Sequence, residues 1–93
     1  MVRVVVVGER TGFRTGARTL LSSDGIRHLV ADCDDPAAAA AMVEATAAEV
    51  VLVDVDGLGR ARAIAVAEDL ALRAPGVAVI LLSLGEGDPA AGK

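Results

Sequence analysis

The feature that most constrains this chain is a regular alternation between short runs of β-branched aliphatic residues and longer segments with helical spacing. Val2 to Val7, Val50 to Val53 and Val77 to Leu84 are nearly continuous apolar runs. Strands read this way when both faces of a parallel sheet are covered, whereas a strand with one wet face alternates apolar with polar residues. Arg27 to Ala31 is a weaker run that reads as a further strand. Phe13, Ala17, Leu20 and Leu21 fall at i, i+4, i+7 and i+8, with Arg14 and Arg18 on a different side, which predicts an amphipathic helix packed on the sheet. Asp35 as N-cap and Pro36 at the first helical position open a second helix that continues through the alanines to about Ala48. A third runs from about Gly59 to Ala74, where Pro75-Gly76 stops it. The order is β-α-β-α-β-α-β. Right-handed crossovers then give an α/β fold, an open doubly wound parallel sheet of four strands. Ligands in such a sheet belong beyond the carboxyl ends of the strands, which here are Gly8-Glu9, Asp32, Asp54 to Asp56, and Ser83.

With 93 residues there is room for one domain, read as residues 1–84 followed by a polar Gly/Pro tail over 85–93. The apolar content is 19 alanines and 14 valines with a single aromatic residue, Phe13, so the core is built from small side chains and is thin. A partner or a second copy is expected to contribute stability. The formal net charge of −4 argues against a nucleic-acid surface, which needs a concentrated excess of Lys and Arg. One cysteine, Cys33, and one histidine, His28, exclude an internal disulfide and a cysteine-based zinc site. Met1 leads directly into the first strand without a signal-peptide pattern, and no apolar run approaches ~18 residues. The expectation is a cytoplasmic chain that does not engage membranes.

Asp54 follows four aliphatic residues and stands at the end of a central strand. A carboxylate placed there can attack a phosphoryl group to form an acyl phosphate, provided a divalent cation neutralises the developing charge. Mg²⁺ asks for one or two carboxylates plus other oxygens, and Glu9, at the end of the first strand, is the candidate second carboxylate. Ser83 offers a hydroxyl to phosphoryl oxygens. The same residues also read as ordinary strand ends, with Asp56-Gly57 a good turn dipeptide. A small-molecule reading rests on Gly8-Glu-Arg-Thr-Gly12, a glycine-containing loop before a helix in which Arg10 would meet a nucleotide phosphate, although neither dinucleotide nor P-loop spacing is present.

The opening Val2-Arg-Val-Val-Val-Val-Gly-Glu-Arg, followed by the Arg14-x-Gly16-x-Arg18-x-Leu20-Leu21 pattern, resembles the start of a bacterial two-component response-regulator receiver domain of the LuxR-type regulator subgroup. Glu49 to Asp54 resembles the family's phosphoacceptor strand and Arg73 to Ser83 the segment ending in its switch Thr/Ser, so the resemblance spans residues 2 to about 84. It implies a flavodoxin-like receiver fold in a phosphorelay, with a sensor histidine kinase as phosphoryl source and Asp54 as phosphoacceptor. Ser83 would be the switch hydroxyl, and Mg²⁺ would be held by Glu9, Asp54 and the backbone carbonyl of Asp56. Any chemistry would be self-phosphorylation rather than turnover of a substrate. Departures are specific: Gly8 stands where the family has a second acidic residue, Leu58 where it has a proline, and the fifth strand with its lysine and the last helices are expected to be missing. The fourth strand then becomes an apolar edge, for which a homodimer or another partner is expected. The alternative to a phosphoacceptor is a pseudo-receiver that acts by protein contact alone.

Overall fold

The computed structural model describes residues 1–23 and 25–83. The chain runs β1 (Val2–Val7), α1 (Thr11–Ser22), β2 (Arg27–Cys33), a 3₁₀ turn (Pro36–Ala38), α2 (Ala39–Thr46), β3 (Val50–Asp54), α3 (Val55–Leu58), α4 (Arg60–Arg73) and β4 (Ala78–Leu82). All pairings are parallel and the strand order is β2-β1-β3-β4, the order expected of a doubly wound sheet. The expected tail lies outside the described residues.

Parallel strands covered on both faces explain the unbroken valines of β1. Val5 and Val7 face one side with Val51 and Val53, where Ala39, Ala40 and Val43 of α2, Leu58 of α3, and Ala63, Val66 and Leu70 of α4 complete the main core. Val4 and Val6 face the other side, where, among the described residues, α1 is the helix that supplies cover through Leu21, with Phe13 and Ala17 partly buried. Alanine lets α2 and α4 lie close to the sheet, so the alanine-rich run earns its place through packing. The two faces are therefore unequal, and the α1 side is the thinner one.

Several boundaries differ from the sequence reading for local reasons. The Asp35 carboxylate accepts from Ala37 N–H at 3.0 Å, as an N-cap should, but the first turn closes as 3₁₀ and the α-helix proper begins at Ala39. It ends before Ala48 because Ala47 takes a left-handed conformation, φ 55°. Glycine usually fills that position, since a β-carbon there costs about 1–2 kcal/mol. Asp56-Gly57, read as a turn, is part of α3, which ends at Gly59 with φ 90°. β2 extends to Cys33, whose buried thiol is pushed up in pKa by desolvation and donates to the Asp35 carbonyl at 2.9 Å. Leu20, expected on the buried stripe of α1, is 74% exposed. It borders an apolar groove of about 370 Å³, shared with Phe13, Leu52 and Leu82, because α1 leans on β1 and β2 and no other described helix covers the β3–β4 half of that face.

Candidate functional site

In parallel neighbours β1 and β3, Val7 is in register with Val53, so the residues just beyond both strands emerge at the same end of the sheet. This brings Arg10 to Asp54. Arg10 Nε donates to Asp54 Oδ2 at 2.8 Å and Nη2 donates to Oδ1 at 2.7 Å, a bidentate fork on the carboxylate. Asp54 is 1% exposed and is also the N-cap of α3, its Oδ1 accepting from Gly57 N–H at 3.0 Å. Every buried side-chain nitrogen or oxygen among the described residues has a hydrogen-bond partner, and Asp54 meets that condition with three donors from two residues.

Two glycines make room for this arrangement. A β-carbon at Gly57 would lie 2.3 Å from Asp54 Oδ2 and 2.7 Å from Arg10 Nε, so no side chain fits beneath the fork. At Gly8 it would lie 3.0 Å from the Asp54 β-carbon and 3.1 Å from the Phe13 ring. Arg14 Nη1 donates to the Gly8 carbonyl at 2.8 Å, tying the loop that carries Arg10 back onto α1.

The other acidic residues at this end are paired elsewhere. Glu9 is held by Arg62 of α4, with Nη1 donating to Oε1 at 3.1 Å and a second bond from Nη2 to Oε2. That hydrogen bonding holds the Glu9 carboxyl below its ordinary pKa. Asp32 pairs with Arg18 on α1. Ser83, just after β4, donates from Oγ to Asp56 Oδ1 at 2.8 Å, so the hydroxyl and the second aspartate of the Asp54-Val55-Asp56 segment meet. The structure therefore joins Asp54 to Arg10 and Ser83 to Asp56, while Glu9 is drawn towards α4. As arranged, the donor set does not fit a divalent cation, because Arg10 takes both Asp54 oxygens and Arg62 both Glu9 oxygens. No group of three or more His, Cys, Asp or Glu side chains among the described residues is placed to hold a metal ion.

Arg10 as the partner of Asp54 was not read from the sequence, which placed it in a phosphate-facing loop. The strand order contained the signal, since neighbouring strand ends put residue 10 beside residue 54.

No family model matches the chain, and no curated protein sequence is significantly similar to it. Solved structures decide the matter. The signal receiver domain of the response regulator NarL from Mycobacterium tuberculosis is 33% identical, with a TM-score of 0.75 over 96% of this chain and 70% of that one. The chain belongs to the response-regulator receiver family. The fold recurs in the non-phosphorylated receiver domain of the stress response regulator RcsB from Escherichia coli, 19% identical with a TM-score of 0.77, covering 96% of this chain and 69% of that one. An RcsB–DNA complex matches at 19% identity and a TM-score of 0.79, with 96% of this receiver aligned to 45% of that chain. The flavodoxin-like receiver fold is thus present with β1 to β4 in their expected order. No helix among the described residues is long and apolar enough to cross a membrane.

Proposed function

We propose that this receiver works by protein contact, with Asp54 a neutralised structural anion rather than a working phosphoacceptor. One observation carries the reading: a carboxylate only 1% exposed has both oxygens held by the Arg10 fork. A nucleophile needs an accessible lone pair and a line of approach, and the fork occupies both. Phosphoryl transfer also depends on cations that bridge the transferring group, whereas here the cation is bound to the acceptor itself.

The rival reading keeps Asp54 as acceptor from a sensor histidine kinase, with Mg²⁺ held by Glu9, Asp54 and the Asp56 backbone carbonyl, and Ser83 sensing the modification. It is favoured by the position of Asp54 at the end of a central strand and by Ser83 reaching Asp56. It requires Arg10 and Arg62 to release their carboxylates first. In either case the protein acts in the cytoplasm and not on nucleic acid through this domain. The contact surface is the outer edge of β4, where Ile80, Leu81 and Leu82 are 44%, 42% and 38% exposed and no further strand pairs among the described residues. A second copy is the simplest occupant.

Intact-protein mass spectrometry after incubation with acetyl phosphate and Mg²⁺ tests the reading, with Asp54→Ala as the control. No Asp54-dependent adduct is expected on folded protein. An adduct requiring both Mg²⁺ and Asp54 overturns the contact-only reading and establishes the rival.

A further inference from the structure

We infer that Arg10 is a resident counter-cation that closes the Asp54 site to divalent metal ions. The inference deepens the contact-only reading, on which it rests, by naming what sets the charge state of the site. Three features of the structure carry it.

The first is charge balance. One carboxylate meets one guanidinium in a bidentate fork at 2.7 and 2.8 Å, so the charge of Asp54 is compensated by a cation of the chain itself. A Mg²⁺ site instead needs a local surplus of anionic oxygen to compensate a cation that gives up its water reluctantly. That surplus is reduced here, because position 8 is glycine and the Glu9 carboxylate is bound to Arg62.

The second is the shape of the cradle. The space under the fork exists only because position 57 lacks a β-carbon, which would fall 2.7 Å from Arg10 Nε. Arg14 braces the Gly8 carbonyl, two residues before Arg10, at 2.8 Å. The cradle thus admits a planar guanidinium that meets the carboxylate edge on with two of its donors.

The third is tethering. Arg10 is linked to Asp54 through two paired strands, so it competes for the carboxylate at an effective concentration in the millimolar range or above for so short a connection. A free divalent ion must displace it and shed water for a single carboxylate. Although Arg10 is 49% exposed, its fork holds both oxygens of a carboxylate that is 1% exposed, so an incoming ion must break two charge-assisted hydrogen bonds before it gains that one ligand.

The test is a titration with Mn²⁺, used as a paramagnetic probe of Mg²⁺ sites, followed by amide relaxation near Asp54 and by thermal unfolding. The proteins are wild type, Asp54→Asn, Arg10→Ala and Arg10→Ala/Asp54→Asn, with Arg10→Gln added because it can still donate one N–H to Asp54 if Arg10→Ala fails to fold. Wild type should bind Mn²⁺ no better than Asp54→Asn. Arg10→Ala or Arg10→Gln should bind at least about tenfold more tightly than wild type, with the gain lost in the double variant. Saturable binding to wild type that Asp54→Asn abolishes overturns the inference, as does an unchanged affinity in both Arg10 variants. These failures are separable from failure of the contact-only reading. Mn²⁺ binding to wild type without a phosphoryl adduct removes only the role given to Arg10, whereas an adduct on wild type without metal binding removes only the contact-only reading.

Discussion

Removing Arg10 exposes the central electrostatic feature of the fold to measurement. Arg10→Ala leaves the Asp54 carboxylate, 1% exposed, with the single Gly57 N–H as donor. Breaking a fully buried ion pair by deleting one partner costs about 3–5 kcal/mol, because the remaining charge stays desolvated. Arg10 is half exposed, so water entering its place recovers part of this, and the discounted cost is ~2–3 kcal/mol. With an unfolding entropy of about 2.1 cal/mol/K per residue over 93 residues, the melting temperature should fall by roughly 10–15 °C. The reverse deletion is milder. Asp54→Asn keeps an oxygen for Gly57 N–H and leaves a guanidinium that can turn into solvent, for a cost of ~1 kcal/mol. The double variant Arg10→Ala/Asp54→Asn should resemble Asp54→Asn alone, since it strands no charge. Urea unfolding of the four proteins provides the cycle. If Arg10→Ala costs no more than Asp54→Asn, or if the two add within about 0.5 kcal/mol, the buried fork is not holding the end of β3 and the reasoning fails.

Four further outcomes follow from other residues. Gly57→Ala should destabilise by roughly 1–3 kcal/mol in chemical unfolding, because its β-carbon would overlap Asp54 Oδ2. Gly16→Ala, in α1 with nothing within 4 Å of the added carbon, should stabilise by ~0.5–1 kcal/mol. Leu70, 0% exposed, is among the largest fully buried side chains, and Leu70→Ala should cost about 2–5 kcal/mol, seen as loss of cooperative unfolding in a domain with so thin a core. Glu9 has a folded-state pKa below its ordinary value, so its ion pair with Arg62 contributes stability above the usual glutamate range that is lost as pH falls through the lowered value. Melting curves across that acid limb should show wild type losing its advantage over Glu9→Gln as pH drops, and an advantage that persists or grows would contradict the assignment.

Much of the architecture was legible because it rests on local pattern. Continuous valines mark a strand buried on both faces, and Asp35-Pro36 marks a helix start whatever the rest of the chain does. The inequality of the two faces was less legible. Leu20 has the spacing of a core residue but lies beside an open groove, because helical periodicity describes a stripe and not how much of the sheet that stripe covers. The end of α2 shifted and α3 replaced an expected turn because Ala47 in a left-handed cap and Asp54 as an N-cap are outcomes of packing, not of propensity.

The candidate site divides in the same way. Asp54, Glu9 and Ser83 were located at strand ends from the strand pattern alone, since chain order and a parallel sheet place those ends together. Their partners were not, because an arginine three residues beyond β1 and one on α4 have no sequence spacing relative to the carboxylates they bind. The sequence by itself determined which residues reach the carboxyl edge of the sheet. Only the tertiary structure decided that Arg10 and Arg62 neutralise two of them, because pairing across 44 and 53 residues depends on strand register and on space left by Gly57.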